Sequence, residues 1–172
     1  MNDTVRPRVV LIGAPGSGKT TVGQLVAERL GVGFRDTDIE VAERAGLTIG
    51  DIFIEHGEEH FRELEREAVG TALNGYDGVV ALGGGAVVPE TTRALLAGHH
   101  VVYLEVEFTA AVKRVGLARD RPLLLQNPRA QLRQLLSERQ PIYEQVATAR
   151  VATGSEPAEV AEAVLATLEE HT

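Results

Sequence analysis

At 172 residues the chain suits one compact domain with a sizeable core, and its lack of cysteine excludes disulfides, thiolate metal sites and cysteine nucleophiles. A formal net charge of −8, no tryptophan and 4% aromatic residues exclude a broad basic or base-stacking surface, so nucleic acid is not an expected partner. No apolar run approaches the ~20 residues of a membrane span, and no basic-then-apolar leader opens the sequence, so a cytoplasmic location without membrane contact is expected.

Strand-like runs are expected near 8–12, 34–36, 78–82, 100–105 and 149–152. Helical patterns fall between them, near 18–30, 38–45, 48–55, 58–73, 90–97, 109–115, 129–146 and 156–170. Apolar strands separated by amphipathic helices predict an α/β fold, a parallel sheet covered on both faces, in a single domain spanning 1–172. Ligands of such sheets gather at the carboxyl ends of the strands. Chemically suggestive residues are therefore sought there.

The first strand, Val9-Val10-Leu11-Ile12, runs into Gly13-Ala14-Pro15-Gly16-Ser17-Gly18-Lys19-Thr20. This segment fits G-x-x-x-x-G-K-[ST] in the strand–loop–helix context the motif requires. Its glycines let successive N–H groups point inward, making an anion site capped by a helix N-terminus. Lys19 would add a mobile charge for the β- and γ-phosphates, and Thr20 a hydroxyl for Mg²⁺. A merely solvated Gly-rich turn is the plainer alternative, but the flanking strand and helix favour nucleotide binding. The helix that follows carries Val22, Leu25, Val26 and Leu30 at helical spacing, and Gly31 closes it.

Phe34-Arg35-Asp36-Thr37-Asp38 ends the second strand with two acids. In an extended segment residues i and i+2 share a side, so both carboxylates would face one pocket, Asp36 near a metal and Asp38 on a substrate hydroxyl. Capping of the next helix by Thr37 or Asp38 is the structural alternative. His56-Gly57-Glu58-Glu59-His60 matches H-x-x-E-H, yet Gly57 stands where a helix would start or break, so a zinc-protease site is rejected. Arg62 has Glu58 and Glu65 at i−4 and i+3, and taken alone it reads as a solvated surface pair.

Gly83-Gly84-Gly85 follows the third strand. One glycine suffices for most turns, so three in a row lean toward close backbone approach to a ligand. His99 and His100 precede the fourth strand and read as edge residues. The loop Gly116-Leu117-Ala118-Arg119-Asp120-Arg121-Pro122, with Arg114 before it, has the charge and hinge of a lid that closes over phosphates. Arg139 continues the apolar stripe of Leu132, Leu135 and Leu136. A guanidinium on an inward face requires a partner, either an internal acid or a bound carboxylate. The last helix places Val160, Ala163, Val164 and Leu168 on one stripe.

Taken together, these motifs resemble the shikimate kinase family, small P-loop kinases related to nucleoside monophosphate kinases. The resemblance covers nearly the whole chain and rests on Gly13 to Thr20, Asp36-Thr37-Asp38, and Gly57-Glu58 with Phe61-Arg62 and Glu65. It continues through Gly83-Gly84-Gly85-Ala86, Arg121-Pro122-Leu123, and Arg139 with Pro141 and Tyr143. It implies ATP-dependent phosphorylation of the shikimate 3-hydroxyl, on the way to chorismate and the aromatic amino acids. It also implies a three-layer fold with a five-stranded parallel sheet, a substrate-binding insertion at about 37–66 and a lid at about 116–128.

By this resemblance Gly16, Ser17, Gly18, Lys19, Thr20 and Thr21 would hold the nucleotide, with Arg114 near the adenine. Lys19 and Arg121 would stabilise the phosphates during transfer, and Thr20 and, through water, Asp36 would hold Mg²⁺. Asp38, Arg62, Arg139 and the glycines Gly83, Gly84 and Gly85 would hold shikimate, the two arginines clamping its carboxylate. The expected partners are ATP and shikimate, and the expected state is a monomer. One stretch departs from the family: Thr153-Gly154-Ser155-Glu156-Pro157 lacks the basic or amide side chain common near the adenine. The competing possibilities are another small kinase such as a gluconate kinase, which needs no paired arginines, and a GTPase-like switch, whose N-K-x-D motif does not occur in this sequence.

Overall fold

The computed structural model describes residues 5–14, 17–106 and 128–171. Its strands are β1 (Val9–Ile12), β2 (Phe34–Asp36), β3 (Val79–Ala81), β4 (Val101–Glu105) and β5 (Ala149–Ala152). All pair in parallel, in the order β2-β3-β1-β4-β5. The helices of the described residues are α1 (Lys19–Leu30), α2 (Thr37–Ala45), α3 (Ile49–His56), α4 (Glu58–Leu73), α5 (Glu90–Leu95), α6 (Pro128–Val146) and α7 (Pro157–His171). Each predicted strand and helix within the described residues is present, with ends displaced by at most two residues. The helix predicted over 109–115, the lid before Pro128, Arg114, Arg121 and Gly16 lie outside the described residues.

The central strand explains why the sheet is continuous and apolar. β1 pairs with β3 on one side and β4 on the other, and its residues are 0–1% exposed. Alternation sends Val9 and Leu11 to one face, where Val22, Val26, Val160, Ala161 and Val164 of α1 and α7 cover them. Val10 and Ile12 point to the other, under Val69, Ala72 and Leu73 of α4, Leu96, and Tyr143 of α6. With both faces covered, no polar alternation is possible along β1. A third apolar cluster, Val41, Ile49, Ile52, Phe61 and Ala68, joins α2, α3 and α4 beside the sheet. Among the described residues no helix is long and apolar enough to cross a membrane.

Two local expectations change. The buried stripe of α7 runs through Val160, Ala161 and Val164, and Ala163 is exposed, because the face that α7 turns toward α1 and β5 carries Ala161. His100 is buried rather than at an edge: its ring nitrogens lie 3.1 Å from Thr148 Oγ1 and 3.0 Å from Thr167 Oγ1, tying β4 to α7.

Two helical glycines provide a stability test of this packing. At Gly23 in α1 a methyl group would overlap the edge of the Phe34 ring, whereas at Gly70 in α4 it meets nothing within 4 Å. Gly70→Ala is expected to stabilise by about 0.5–1 kcal/mol through helix propensity. Gly23→Ala is expected to destabilise by about 1–3 kcal/mol despite the same gain, because overpacking dominates. Urea unfolding midpoints of the two variants check this, and a Gly23→Ala midpoint at or above the parent's would contradict the α1–β2 packing.

Candidate active site

Because every strand is parallel, the segments leaving β1, β2, β3 and β5 emerge on one edge of the sheet. After β1 the chain turns through Gly13 and Ala14 and enters α1 at Gly18, whose φ of 89° is a left-handed conformation that favours glycine. Ser17 is buried and its N–H donates to the Ala14 carbonyl at 3.1 Å. Lys19 Nζ is held over the loop by the carbonyls of Gly13 at 2.8 Å and Ala14 at 3.0 Å. The sequence-predicted loop residues Ser17, Gly18, Lys19, Thr20 and Thr21 thus stand together at the start of α1.

Asp36 makes two contacts, one to the phosphate loop and one to α2. Its Oδ2 accepts from the Thr20 hydroxyl at 2.6 Å, while Oδ1 caps α2 by accepting from the N–H groups of Asp38 at 3.0 Å and Ile39 at 3.3 Å. The cap is therefore Asp36, not Thr37 or Asp38. The extended geometry predicted through Asp38 does not occur either, since the chain becomes helical at Thr37. Asp38 reaches the site by another route: its carboxylate occupies the space where a Cβ of Gly83 would stand. A hydroxyl and a carboxylate, both hard oxygen donors, meet at Thr20 and Asp36, and that donor pair fits Mg²⁺.

At Gly83 and Gly85 the space of a side chain is taken by the ends of Asp38, Arg62 and Arg139. Neither Gly83 nor Gly85 has positive φ. A methyl group on Gly85 would lie 2.7 Å from both terminal nitrogens of Arg62 and 2.9 Å from Nη2 of Arg139. Arginines from α4 and α6, 77 positions apart in sequence (139 less 62), therefore meet at one glycine. The loop itself is held from two sides. Gly83 N–H donates to Oγ1 of the fully buried Thr37 at 3.2 Å, and the Tyr143 hydroxyl donates to the Gly84 carbonyl at 2.5 Å. The Gly83 N–H is thus committed inside the protein rather than presented to a ligand.

Arg62 does pair along its helix, at 3.8 Å with Glu58 and 2.7 Å with Glu65, but it is not a surface pair. Glu65 is 3% exposed, and burial pushes its carboxyl above the usual glutamate range. The charges of Arg62 and Arg139 act against that rise, whereas Asp38 adds to it. Sequence reasoning treated Glu65 as a surface partner, although its spacing from Phe61 and Ala68, i+4 and i−3, places it on the inward face of α4. Thr37, standing between two aspartates, reads as a cap in the sequence alone.

A cleft of about 230 Å³ adjoins the loop, lined by Ser17, Gly18, Thr21, Val22, Ser155 and Pro157 among others. Thr153 anchors its far wall, donating from both N–H and hydroxyl to the Glu105 carbonyl at 2.9 and 2.7 Å. At the rejected zinc motif, α3 ends at His56 and Gly57 has φ 86°, so the two histidines belong to different helices. Among the described residues no cluster of three metal-ligating side chains forms there or elsewhere.

The Glu65 carboxyl makes stability depend on pH with a definite sign. Its raised folded-state affinity for a proton means that the folded chain holds more protons than the unfolded chain between the two pKa values. The associated stability is present below the unfolded glutamate range and declines as pH rises toward the folded value. Subtracting the unfolding free energy of Glu65→Gln from that of the parent at each pH isolates this decline. The difference is expected to fall from acidic to neutral pH, and parallel profiles would show that Glu65 ionises normally.

A family model described as shikimate kinase matches residues 15–169. A shikimate kinase of Thermobifida fusca is 62% identical over 160 residues, covering 92% of this chain and 93% of that protein. One from Salinispora arenicola is 60% identical, covering 94% and 98% of the respective chains. The solved shikimate kinase from Acinetobacter baumannii in complex with shikimate superposes with a TM-score of 0.90 at 34% identity, over 98% of this chain and 95% of that one. A family match across most of the sequence, close relatives of equal length and the observed sheet order agree: this chain belongs to the shikimate kinase family.

Proposed function

We propose that the chain transfers the γ-phosphoryl group of ATP to the 3-hydroxyl of shikimate, giving shikimate 3-phosphate and ADP, as a cytoplasmic monomer. The observation that carries this most directly is the meeting of Arg62 and Arg139 at Gly85, beside Asp38 and on the same sheet edge as the phosphate loop. Two guanidiniums on one spot suit a planar carboxylate, which each can engage with a bidentate fork. The A. baumannii relative whose structure contains shikimate has the same fold over nearly its whole length.

In this proposal the carboxylate is fixed at one end and Asp38 orients the attacking hydroxyl at the other. The backbone around Gly83, Gly84 and Gly85 forms the intervening wall. The hydroxyl oxygen displaces ADP from the γ-phosphorus through a loose transition state, so positioning and charge stabilisation outweigh strong base catalysis. Lys19 supports the charge on the phosphates, with Arg121 contributing from the lid. The backbone N–H groups of the phosphate loop from Gly16 to Thr21 cradle them. Mg²⁺, held by Thr20 and through water by Asp36, would neutralise phosphate charge when bound.

The cleft between Thr21 and Pro157 takes the nucleotide base, and the family resemblance adds Arg114 as the residue near the adenine. Thr153 is occupied with Glu105, so the base is recognised there by backbone and by Ser155 rather than by a basic side chain. The insertion at 37–66 carries the substrate end of the site, and the lid at 116–128 excludes water, which would otherwise accept the phosphoryl group. Energy from the remote carboxylate helps to align the reacting hydroxyl.

ADP release from MgATP, measured with shikimate, with gluconate and with no acceptor, tests the reaction. Turnover is expected with shikimate alone; turnover with gluconate alone would retain the phosphate loop and discard the substrate. Arg139→Ala removes a charged hydrogen-bond donor worth about 2 kcal/mol, so kcat/KM for shikimate is expected to fall roughly 30-fold in a folded protein. An unchanged value would remove Arg139 from the substrate site.

A further inference from the structure

A second cleft, of about 520 Å³, lies between α5 and the end of α6, lined by Glu90, Arg93, Gly98, His99, Gln145 and Thr148 among others. It opens beside the segments that enter β4 and β5, so it is at the opposite edge of the sheet from the phosphate loop. We propose that this cleft is a binding site for a small oxyanion, a phosphoryl or carboxylate group, held by Arg93 and His99, with Arg6 beside it at Gly98.

Its arginines contrast with those that pair with carboxylates. Six described arginines, Arg8, Arg29, Arg35, Arg44, Arg62 and Arg150, are paired with carboxylates. Arg93 instead donates from Nη1 to the amide oxygen of Gln145 at 3.3 Å, and Arg6 from Nη1 to the Gly98 carbonyl at 3.4 Å. Neither contact neutralises a charge. Arg93 Nε and His99 Nδ1 are in addition buried without any hydrogen-bond partner, a costly condition that buried polar groups normally avoid. Both atoms are sealed from solvent, so a ligand would meet the outer nitrogens of Arg93 and the exposed part of the imidazole ring. Glu90 is the acid among the described lining residues and sets the negative side of the rim.

A bound anion would offset these charges and reverse the present bias of His99, whose pKa is held below the usual histidine value by burial and by the charge of Arg6. By linkage, the anion binds more tightly as His99 becomes protonated, with Arg6, Arg93 and Glu90 as the other charged groups around it.

The test follows the imidazole signal of His99 by NMR, assigned with His99→Asn, while inorganic phosphate or acetate is titrated at constant ionic strength. The readout is local to His99, at the opposite edge of the sheet from the loop at Gly18, so phosphate in that loop does not enter it. An upward shift of the His99 pKa is expected with one or both anions, absent in Arg93→Gln and reduced in Arg6→Gln, whose exposed side chain leaves folding untouched. A phosphate-only response identifies a phosphoryl ligand, and a response to both identifies the shared oxyanion chemistry. No shift with either anion, a shift matched by chloride, or a shift unaltered in both variants would overturn the proposal.

Discussion

Two guanidinium groups repel each other, and this fold brings Arg62 and Arg139 against one glycine. Like charges a few ångströms apart cost on the order of one to a few kcal/mol at the effective dielectric of a protein surface. The surroundings counter that cost. Glu65, buried beneath them, pairs with Arg62 at 2.7 Å and feels the charge of Arg139. Tyr143, one helical turn beyond Arg139, bonds to the Gly84 carbonyl and so fixes α6 relative to the glycine turn. Gly85 supplies the missing volume, since any side chain there would displace both arginines.

The sheet makes the convergence possible. Its parallel strands deliver the phosphate loop, the Asp36 cap and the glycine turn to one edge, although 70 positions separate Gly13 from Gly83 (83 less 13). Side-chain hydrogen bonds then cross between them. The Thr20 hydroxyl links the phosphate loop to Asp36, and Thr37 links α2 to Gly83. The proposed phosphate end and the proposed carboxylate end are thus joined through the β2–α2 junction, where strand passes directly into helix. Catalysis by positioning requires such a connection, because small misplacements cost large factors in rate.

The fold was largely legible in the sequence because its determinants are local. β1 is a run of four apolar residues bounded by glycine, and α1 and α4 carry apolar residues at helical spacing. The phosphate loop was legible for the same reason, since its chemistry lies in consecutive residues. Arg139 was noticed through a conflict, a charge on an apolar stripe. The same logic applied to Glu65 would have shown it inward, but an acid three residues from an arginine suggests a surface pair before it suggests burial. Asp36, Thr37 and Tyr143 were harder to interpret, because their partners, Thr20, Gly83 and Gly84, come from other elements. Helix capping and long-range contact draw on the same residue types, and only the fold reveals that Asp36 does both.

The central claim is that the two arginines recognise the substrate through its carboxylate. A cycle between ligand and protein tests it most directly: kcat/KM is measured for shikimate and for its neutral carboxamide, in the parent and in Arg139→Ala. If the guanidinium and the carboxylate contact each other, removing both costs little more than removing either, leaving a coupling energy well above additivity error. Losses that simply add would mean that Arg139 acts elsewhere and that the meeting of arginines at Gly85 serves the fold rather than the substrate.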